Sequence, residues 1–474
     1  MSLPSTLVVR GSLEANGTRH SLRVSAAHPH SLRVTFDDRS ALPASPTHFE
    51  QLTLTCEGRE VQLGACLFDA NRHSSPLGDD PPPEPGDGRI LFQEAVYDFR
   101  TLMRNGRISQ FAQRVQQLPL VLSRQSRVGA PFRAFVSRLL YDLQVYRAVF
   151  DELDRNLEHE PPEARERVKQ IAVQAEYGSF CRFFDERLGL LAEEVRATSG
   201  DLQSLHGFFF RKQAWDLISC SEFLLRTNLK PRGFAGDSAM MRMIYENQFR
   251  GASVFSRFMH RHPIETSAAS AVRNRRKLLA GAYLEAGRRA RDAQAGRARV
   301  LSVACGPAWE LRDVLTAPGD FEKYDIILLD QDAAALDEAT QAVAALEETF
   351  GARAQVSTQR DSVRTMLHAT DLSTQWGQFD LIYSMGMFDY LTQPVAAAVI
   401  SRLYRLLRPG GELVIGNFHP RNPTRIYMEY WMDWVLCYRT EDELMQLADR
   451  LPGAIPALSF DDSGCQMTLR VRRP

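Results

Sequence analysis

The sequence predicts an α/β fold in the last third of the chain, preceded by a helical region and a small β-rich domain. From about residue 298, short apolar runs such as YDIILLD and FDLIYSMG alternate with helical segments, which is typical of a mostly parallel sheet covered by helices. From about 97 to 290, apolar residues recur at i, i+3, i+4 and i+7, as on amphipathic helices. Before residue 92, alternating runs are separated by Gly, Asn, Asp and Pro, which indicates β-structure.

These patterns place the domains at 1–95, 96–290 and 291–474. In the first domain, the Pro-rich stretch 71–89 excludes a helix or a central strand, because proline has a fixed φ and no amide proton. We therefore expect a long hairpin loop or a linker there. At the other end of the chain, IPALSFDDSGCQMTLRVRR contains two β-runs joined by Asp-Ser-Gly and predicts an antiparallel hairpin at the sheet edge.

Composition and charge exclude several classes of protein. The 474 residues carry 57 Lys+Arg and 58 Asp+Glu, so the basic excess typical of nucleic-acid binding is missing. No apolar run approaches the roughly 20 residues that span a bilayer, and the start of the chain lacks a signal-peptide pattern. The seven cysteines are scattered without a C-x-x-C pair, so we expect no zinc site, no disulfide framework and a cytoplasmic location. The oligomeric state stays open, and a homodimer is compatible with these features.

The stretch LSVACGPAWE, Leu301–Glu310, predicts a ligand site after the first strand of the last domain. Gly306 has no side chain, so the backbone there can approach a ligand closely. Asp330 follows at the end of the next strand, where a carboxylate can accept hydrogen bonds from a ribose diol. The G-x-G-x-x-G fingerprint of dinucleotide binding is absent. A ligand with one ribose and no phosphate, such as S-adenosylmethionine, therefore fits better than NAD.

Over about 298–474 the chain resembles the class I S-adenosylmethionine-dependent methyltransferases, which have a Rossmann-like fold. Ser302 and Ala304 stand where the family's first motif has an acid and a glycine, and Glu310 is a candidate to replace that acid. QRDSV ends the third strand near the adenine, FDLIYSMGMFDYL matches the fourth strand and its loop, and LYRLLRPGGELVIGNF matches the fifth. The resemblance implies these cofactor-binding residues: Ala304, Cys305, Gly306, Pro307, Glu310, Asp330, Gln331, Asp361, Ser362, Ser384, Met385 and Gly386.

The loop NLKPRGFAGD, which begins at Asn228, has two glycines within four residues and precedes a Met-rich segment. It suits either a loop that bends over a ligand or an interhelical turn capped by Asp237. Four segments resemble, over about 200–474, a bacterial methyltransferase family that makes 3-hydroxy fatty acid methyl esters as quorum-sensing signals. They are this loop, HRHPIETSAASAVRNRR after it, FDYL, and NPTRIYMEYWMDWVLCYRTEDEL. The resemblance implies an acceptor such as 3-hydroxypalmitic acid and a lid formed by the end of the helical region.

A carboxylate acceptor is ionised at pH 7 because its pKa is about 4, so its methylation requires no general base. Tyr427, Tyr430, Trp431 and Trp434 fall at the spacing of one helical stripe, which could line an acyl tunnel or simply pack on the sheet. Phe234 and Met241 are further candidates for acceptor contacts. The remaining catalytic candidates are Asn417, His419 and Arg232. Arg232 and Arg439 are the candidates for recognising the acceptor carboxylate.

Two alternatives remain open from the sequence. One is a methyltransferase for a phenol, amine or other small acceptor, with His419 as the base. The other is a non-catalytic regulator that responds to the cofactor or to cyclic di-GMP. The second rests on RHSLR (Arg19, Arg23) and DDRSALP (Asp38, Ser40), which loosely resemble the signatures of PilZ domains, with Pro43 at the expected glycine.

Overall fold

The structure, a computed structural model, describes strands within the first 92 residues and most of the chain from residue 127 onward. The described residues are 9–15, 18–28, 31–37, 47–49, 52–56, 59–63, 66–69, 87–92, 127–198, 200–294, 296–368 and 372–474. The chain divides into two compact units, Met1–Arg124 and Gln125–Pro474. The boundary expected at residue 290 falls inside the second unit.

The first unit contains an antiparallel sheet in the order β4-β7-β8-β3-β2-β1-β5-β6, as the alternating runs predicted. Its strands are β1 Val9–Ala15, β2 Thr18–His28, β3 Ser31–Phe36, β4 Thr47–Phe49, β5 Leu52–Cys56, β6 Arg59–Leu63, β7 Cys66–Asp69 and β8 Asp87–Phe92. A Cβ on Gly11 would lie 2.8 Å from Leu54 Cδ2 and 2.9 Å from Leu22 Cδ1, so this glycine lets the core side chains close over β1.

Strands β7 and β8 flank most of the Pro-rich stretch and pair antiparallel, which agrees with the expected hairpin. Residues 70–86 themselves lie outside the described residues. Of the residues that resemble a PilZ signature, Arg23 is exposed and its Nε donates to Asp37 Oδ1 at 2.9 Å. The side chain of Arg19, and Asp38, Ser40 and Pro43, lie outside the described residues. Nucleotide binding by this unit therefore stays a prediction.

The second unit begins with helices, as the period of the apolar residues predicted. They are α1 Ala130–Asn156, α2 Pro162–Arg196, α3 Gly200–Gln213, α4 Trp215–Ser219, α5 Glu222–Leu229, α6 Ser238–Glu246, α7 Val254–Glu265 and α8 Ser267–Asp292. Asp237 caps α6, because its carboxylate accepts from the amide of Met240 at 3.0 Å. Met240 and Met243 are buried in the core below this cap. The interhelical turn expected as one alternative is therefore present, although the loop also reaches a cavity described below.

A seven-stranded sheet follows in the order β11-β10-β9-β12-β13-β15-β14. The strands are β9 Ala298–Val303, β10 Tyr324–Asp330, β11 Gln355–Arg360, β12 Phe379–Ser384, β13 Leu407–Phe418, β14 Ile455–Phe460 and β15 Gln466–Arg472. Their helices are α9 Leu311–Val314, α10 Ala333–Phe350, α11 Val363–His368, α12 Leu372–Trp376, α13 Gln393–Arg405, α14 Arg425–Trp431 and α15 Glu441–Met445. Strands β9 to β13 pair in parallel, and β15 pairs antiparallel to both β13 and β14. The terminal hairpin is thus confirmed, but its second strand lies inside the sheet.

One hydrophobic cluster joins the helices to the segment that follows β13. It contains buried residues of α1 to α8 together with Phe418, Tyr427–Met428, Tyr430–Met432, Trp434 and Leu436. The helices in front of the sheet and the insertion behind its fifth strand therefore share one core. Burying apolar side chains from both on each other stabilises the two segments together.

Candidate active site

A cavity of about 490 Å³ lies at the carboxyl ends of the parallel strands of the second unit. One side is formed by the turns that follow β9, β10, β11 and β12. The opposite side, here called the helical wall, consists of apolar residues from α5 to α8 and from the segment after β13: Phe223, Phe234, Met241, Ile244, Val272, Met428, Met432, Trp434 and Leu436. The ends of parallel strands are where open α/β sheets bind ligands.

The turn after β9 has an unusual backbone. Ala304, Gly306 and Ala308 have φ values of 54°, 55° and 47°, in the left-handed region. This conformation costs an L-residue other than glycine about 1–2 kcal/mol. Ala304 thus holds the backbone shape that a glycine would adopt more easily, and strain of this kind is concentrated at functional sites. Gly306 faces the cavity, and its amide donates to Asp330 Oδ2 at 3.0 Å.

Asp330 ends β10 and lines the cavity. Its second oxygen, Oδ1, accepts from the amide of Asp332 at 2.9 Å, so two backbone amides orient the carboxylate. Burial raises the pKa of Asp330, and the hydrogen bonds from Asp332 and Gly306 partly offset that rise. Each carboxylate oxygen keeps further acceptor capacity for a diol.

Glu310 is the buried acid beside the turn after β9. Its Oε1 accepts from the Tyr383 hydroxyl at 2.6 Å, and that hydroxyl lies 3.2 Å from the hydroxyl of Tyr283. Burial raises the pKa of Glu310. Ser302, which occupies the motif's acid position, also lines the cavity but carries no charge. Glu310 therefore places an acidic side chain at this end of the cavity.

The other cofactor candidates are placed as follows. Asp361 and Ser362 line the cavity after β11, and Asp361 donates its amide to the Asp330 carbonyl at 3.1 Å. Cys305, Pro307, Gln331, Met385 and Gly386 line it too. Ser384 does not: it is fully buried within β12.

The expected aromatic stripe does not form one helical face. Helix α14 ends at Trp431, and Asp433 has a φ of 50°, so Trp434 lies beyond the helix. Trp434 lines the cavity, and its Nε1 donates to the Tyr390 hydroxyl at 2.8 Å. Tyr427, Tyr430 and Trp431 instead pack into the shared core and are not part of the cavity lining; the Trp431 ring centre is 5.0 Å from that of Phe210. Phe234 and Met241 are on the helical wall.

Two arginines expected near the chemistry have structural partners instead. Arg232 donates to Asp332 Oδ2 and Glu338 Oε1, both at 3.0 Å, and thereby ties the loop between α5 and α6 to α10. Arg439 is buried and donates to the Phe388 carbonyl at 2.8 Å, as well as to Asn417 Oδ1. Neither side chain lines the cavity, so their positions do not support acceptor recognition.

Asn417 and His419 are likewise engaged outside the cavity. The Asn417 amide nitrogen donates to the carbonyls of Phe418 and Cys437, at 2.9 and 3.1 Å. His419 Nδ1 accepts from the Arg421 amide at 3.1 Å, which leaves Nε2 as the donor to Glu441 Oε2, 3.0 Å away. With both ring nitrogens used, His419 is poorly placed to act as a base.

Sequence reasoning did not single out Arg275 of α8, which lines the cavity. Its Nε donates to Gln466 Oε1 at 2.8 Å, and Gln466 Nε2 donates to the Met385 carbonyl at 3.1 Å. Among the described residues, no hydrogen bond or ion pair engages its two terminal nitrogens. A Cβ on Gly386 would lie 3.5 Å from Arg275 Nη1, so the turn after β12 is close to this guanidinium.

Asp389 was also overlooked, although it lies in the FDYL segment. It lines the cavity with a side chain that is 2% exposed. Its Oδ1 accepts from the Phe418 amide at 2.7 Å. Burial raises the pKa of Asp389 to about 7, against the opposing effects of Arg275, the Phe418 amide and Arg439. Such a carboxyl titrates near neutral pH, which is common at functional sites.

The strand order and the antiparallel β15 form the Rossmann-like sheet of the class I methyltransferase fold, with an acid at the end of β10. Residues 300–411 match the family model of a methyltransferase domain, and the cofactor is S-adenosylmethionine. No curated protein matches the chain. Among the described residues, no helix has the length and apolar composition needed to cross a bilayer.

Three solved structures illustrate what the chain is similar to. A possible exported protein from Bordetella parapertussis is 18% identical, with 66% of this chain and 99% of that chain covered and a TM-score of 0.39. Magnesium protoporphyrin IX methyltransferase from Synechocystis with bound SAH is 13% identical, with 44% and 87% covered and a TM-score of 0.32. The N-methyltransferase NodS from Bradyrhizobium japonicum is 14% identical, with 42% and 96% covered and a TM-score of 0.27.

Proposed function

We propose that the protein transfers the methyl group of S-adenosylmethionine to the carboxylate of a 3-hydroxy fatty acid and so forms its methyl ester, a quorum-sensing signal. The observation that carries the proposal is Arg275, a guanidinium with free terminal nitrogens, among the described residues, at the edge of a wall of apolar side chains. Guanidinium groups recognise carboxylates through paired hydrogen bonds. The helical wall offers apolar surface to an acyl chain, and burying each methylene of that chain would contribute about 0.8 kcal/mol to binding.

The cofactor supplies an activated methyl group, and the site residues hold the two reactants. Asp330 is proposed to bind the ribose diol, Glu310 the amino group of the methionine, and Asp361 with Ser362 the adenine. Asp330, Glu310, Asp361 and Arg275 all border one cavity, so the acceptor can be held next to the methyl donor. Positioning of this kind lowers the entropic part of the barrier.

The reaction needs no proton transfer from the acceptor. An ionised carboxylate oxygen forms the new bond to the methyl carbon while the sulfur–carbon bond breaks, so the ester and a neutral thioether leave. The negative charge of the carboxylate disappears during this step, and too tight an ion pair would stabilise the ground state more than the transition state. Gln466 accepts from the Nε of Arg275, so the terminal nitrogens of Arg275 remain for the acceptor.

The proposal is tested with purified protein, a cofactor labelled with ¹³C in its methyl group, and 3-hydroxypalmitic acid. Mass spectrometry should find the label on the carboxyl oxygen, and the matching 1,3-diol should not be methylated. Arg275→Gln should raise KM for the acid, whereas Arg353→Gln, at a side chain that is 89% exposed, should not. Label found on the 3-oxygen as a methyl ether would contradict carboxyl transfer.

One observation favours a second candidate, a methyltransferase for a hydroxyl or phenol acceptor. Such acceptors need a base near neutral pH, and Asp389 in the cavity has its pKa raised to about 7 by burial. It is better placed for that task than His419, which does not line the cavity.

A further inference from the structure

We propose that Asp389 is a neutral hydrogen-bond donor to the acceptor's carboxylate, facing Arg275, and so makes the site select a carboxylate over a hydroxyl group. This inference rests on the carboxyl transfer proposed above and assigns the acceptor a second contact.

The first step is the fixed position of Asp389. Its Oδ1 accepts from the Phe418 amide at 2.7 Å, and its carbonyl accepts from the Cys437 amide at 2.7 Å. Among the described residues, no hydrogen bond uses Oδ2, which is therefore the oxygen available to a ligand in the cavity. A carboxyl held through one oxygen can present the other, with its proton, in a defined direction.

The second step is the charge around that carboxyl. The charged groups that act on Asp389 are Arg275 from α8 and Arg439 from the segment after α14. The hydroxyls of Tyr390 and Tyr438 also lie near it, and the charge of Asp389 contributes to raising their pKa values. The two arginines favour the ionised form, and burial favours the neutral form more strongly. A carboxylate acceptor bound at Arg275 adds a negative charge beside Asp389, and this raises the pKa of Asp389 further. The complex with a carboxylate therefore contains neutral Asp389.

The third step is the effect of pH. The value of kcat/KM reports the protonation of the free enzyme, and burial places the pKa of Asp389 at about 7. The acceptor is ionised above about pH 5. We expect a plateau of kcat/KM for the acid near pH 6 and a fall of about tenfold for each pH unit above the pKa of Asp389. An Asp389 that acted as a base would give a rise over the same interval.

The test compares the pH profiles of wild type, Asp389→Asn and a matched control. The asparagine keeps an oxygen for the Phe418 amide and offers an N–H donor at every pH. Asp389→Asn should be a few-fold below wild type near pH 6, because an amide is a weaker donor than a carboxylic acid. At pH 9 it should exceed wild type by about tenfold or more, because its donor does not titrate. Asp325→Asn, at the far end of β10 and paired with Arg299, should keep the wild-type profile.

The outcomes separate this inference from the proposed function. Methyl ester formation with an alkaline fall that Asp389→Asn removes supports both. Methyl ester formation with the same profile in wild type and Asp389→Asn overturns the role of Asp389 and leaves carboxyl transfer intact. Methylation of hydroxyl acceptors that rises through pH 7 and is abolished in Asp389→Asn overturns both.

Discussion

Asp330→Ala should weaken the binding of S-adenosylmethionine. The carboxylate lines the cavity, and the amides of Gly306 and Asp332 orient it. A hydrogen bond to a charged group contributes about 1.5–3 kcal/mol, so losing the contact with the ribose should raise Kd by about 10- to 150-fold. The same change leaves the two amides without their acceptor, and a lower melting temperature should accompany it.

Calorimetric titration with S-adenosylmethionine measures the affinity, at a temperature where thermal scans show that the variant is folded. Asp325→Ala is the matched control, because it removes an aspartate from the opposite end of the same strand. The control should bind the cofactor as wild type does. Wild-type affinity in Asp330→Ala would refute the assignment of Asp330 to the ribose.

Three further predictions concern acceptor contacts, backbone strain and pH. Trp434→Ala should lower kcat/KM for long 3-hydroxy acids more than for short ones, because Trp434 lines the cavity. Trp431→Ala should instead cost about 3–5 kcal/mol of folding stability and leave the chain-length preference unchanged, because Trp431 is buried in the core. Equal losses for both chain lengths in Trp434→Ala would contradict this prediction. Ala304→Gly should raise the free energy of unfolding by up to about 1 kcal/mol in denaturant titrations, because glycine adopts the left-handed φ of this position without strain. Ala339→Gly, inside α10, should lower it. If both variants are destabilised, the backbone at Ala304 is not strained as proposed. Burial raises the pKa of Asp389 from 3.8 to about 7, so wild type should lose stability relative to Asp389→Asn as pH rises from 4 to 7. If the free energies of unfolding of the two proteins change in parallel with pH, the pKa of Asp389 is not raised.

The turn after β9 and the acid at the end of β10 could be predicted to lie close together from the sequence, because this depends on local features. An apolar strand, a turn with Gly306 and an acid at the end of the next strand lie within about 30 residues, and strand pairing brings them together. The same reasoning gave the sheet, the helical region and the terminal hairpin. It could not show that Ala304 adopts a left-handed backbone, because the sequence alone does not reveal a strained non-glycine residue.

The acceptor side could not be read in the same way, because distant residues determine it. The helical spacing from Tyr427 to Trp434 suggested one stripe, but Asp433 ends the pattern with a positive φ. Its carboxylate pairs with Arg211 and Lys230, at 2.8 and 2.6 Å, about 200 residues earlier in the chain. No local pattern reports such contacts.

The sequence also could not reveal that Arg275 lines the cavity. It is one of 57 basic residues, and only the fold places it at the cavity. Arg232 and Arg439 stand in more distinctive segments, yet their donors are occupied by partners within the fold.

Much of the helical wall belongs to the hydrophobic cluster that joins the helices to the segment after β13, and this affects how the protein can evolve. Phe223, Ile244, Met428, Met432 and Trp434 are at once cavity lining and members of the cluster that holds α1 to α8 to the segment after β13. A substitution that reshapes this part of the cavity therefore also disturbs packing that stabilises the fold. A substitution that changes the acceptor preference should therefore occur together with a second substitution that restores stability. Directed evolution toward new acceptors should accordingly begin from a stabilised parent.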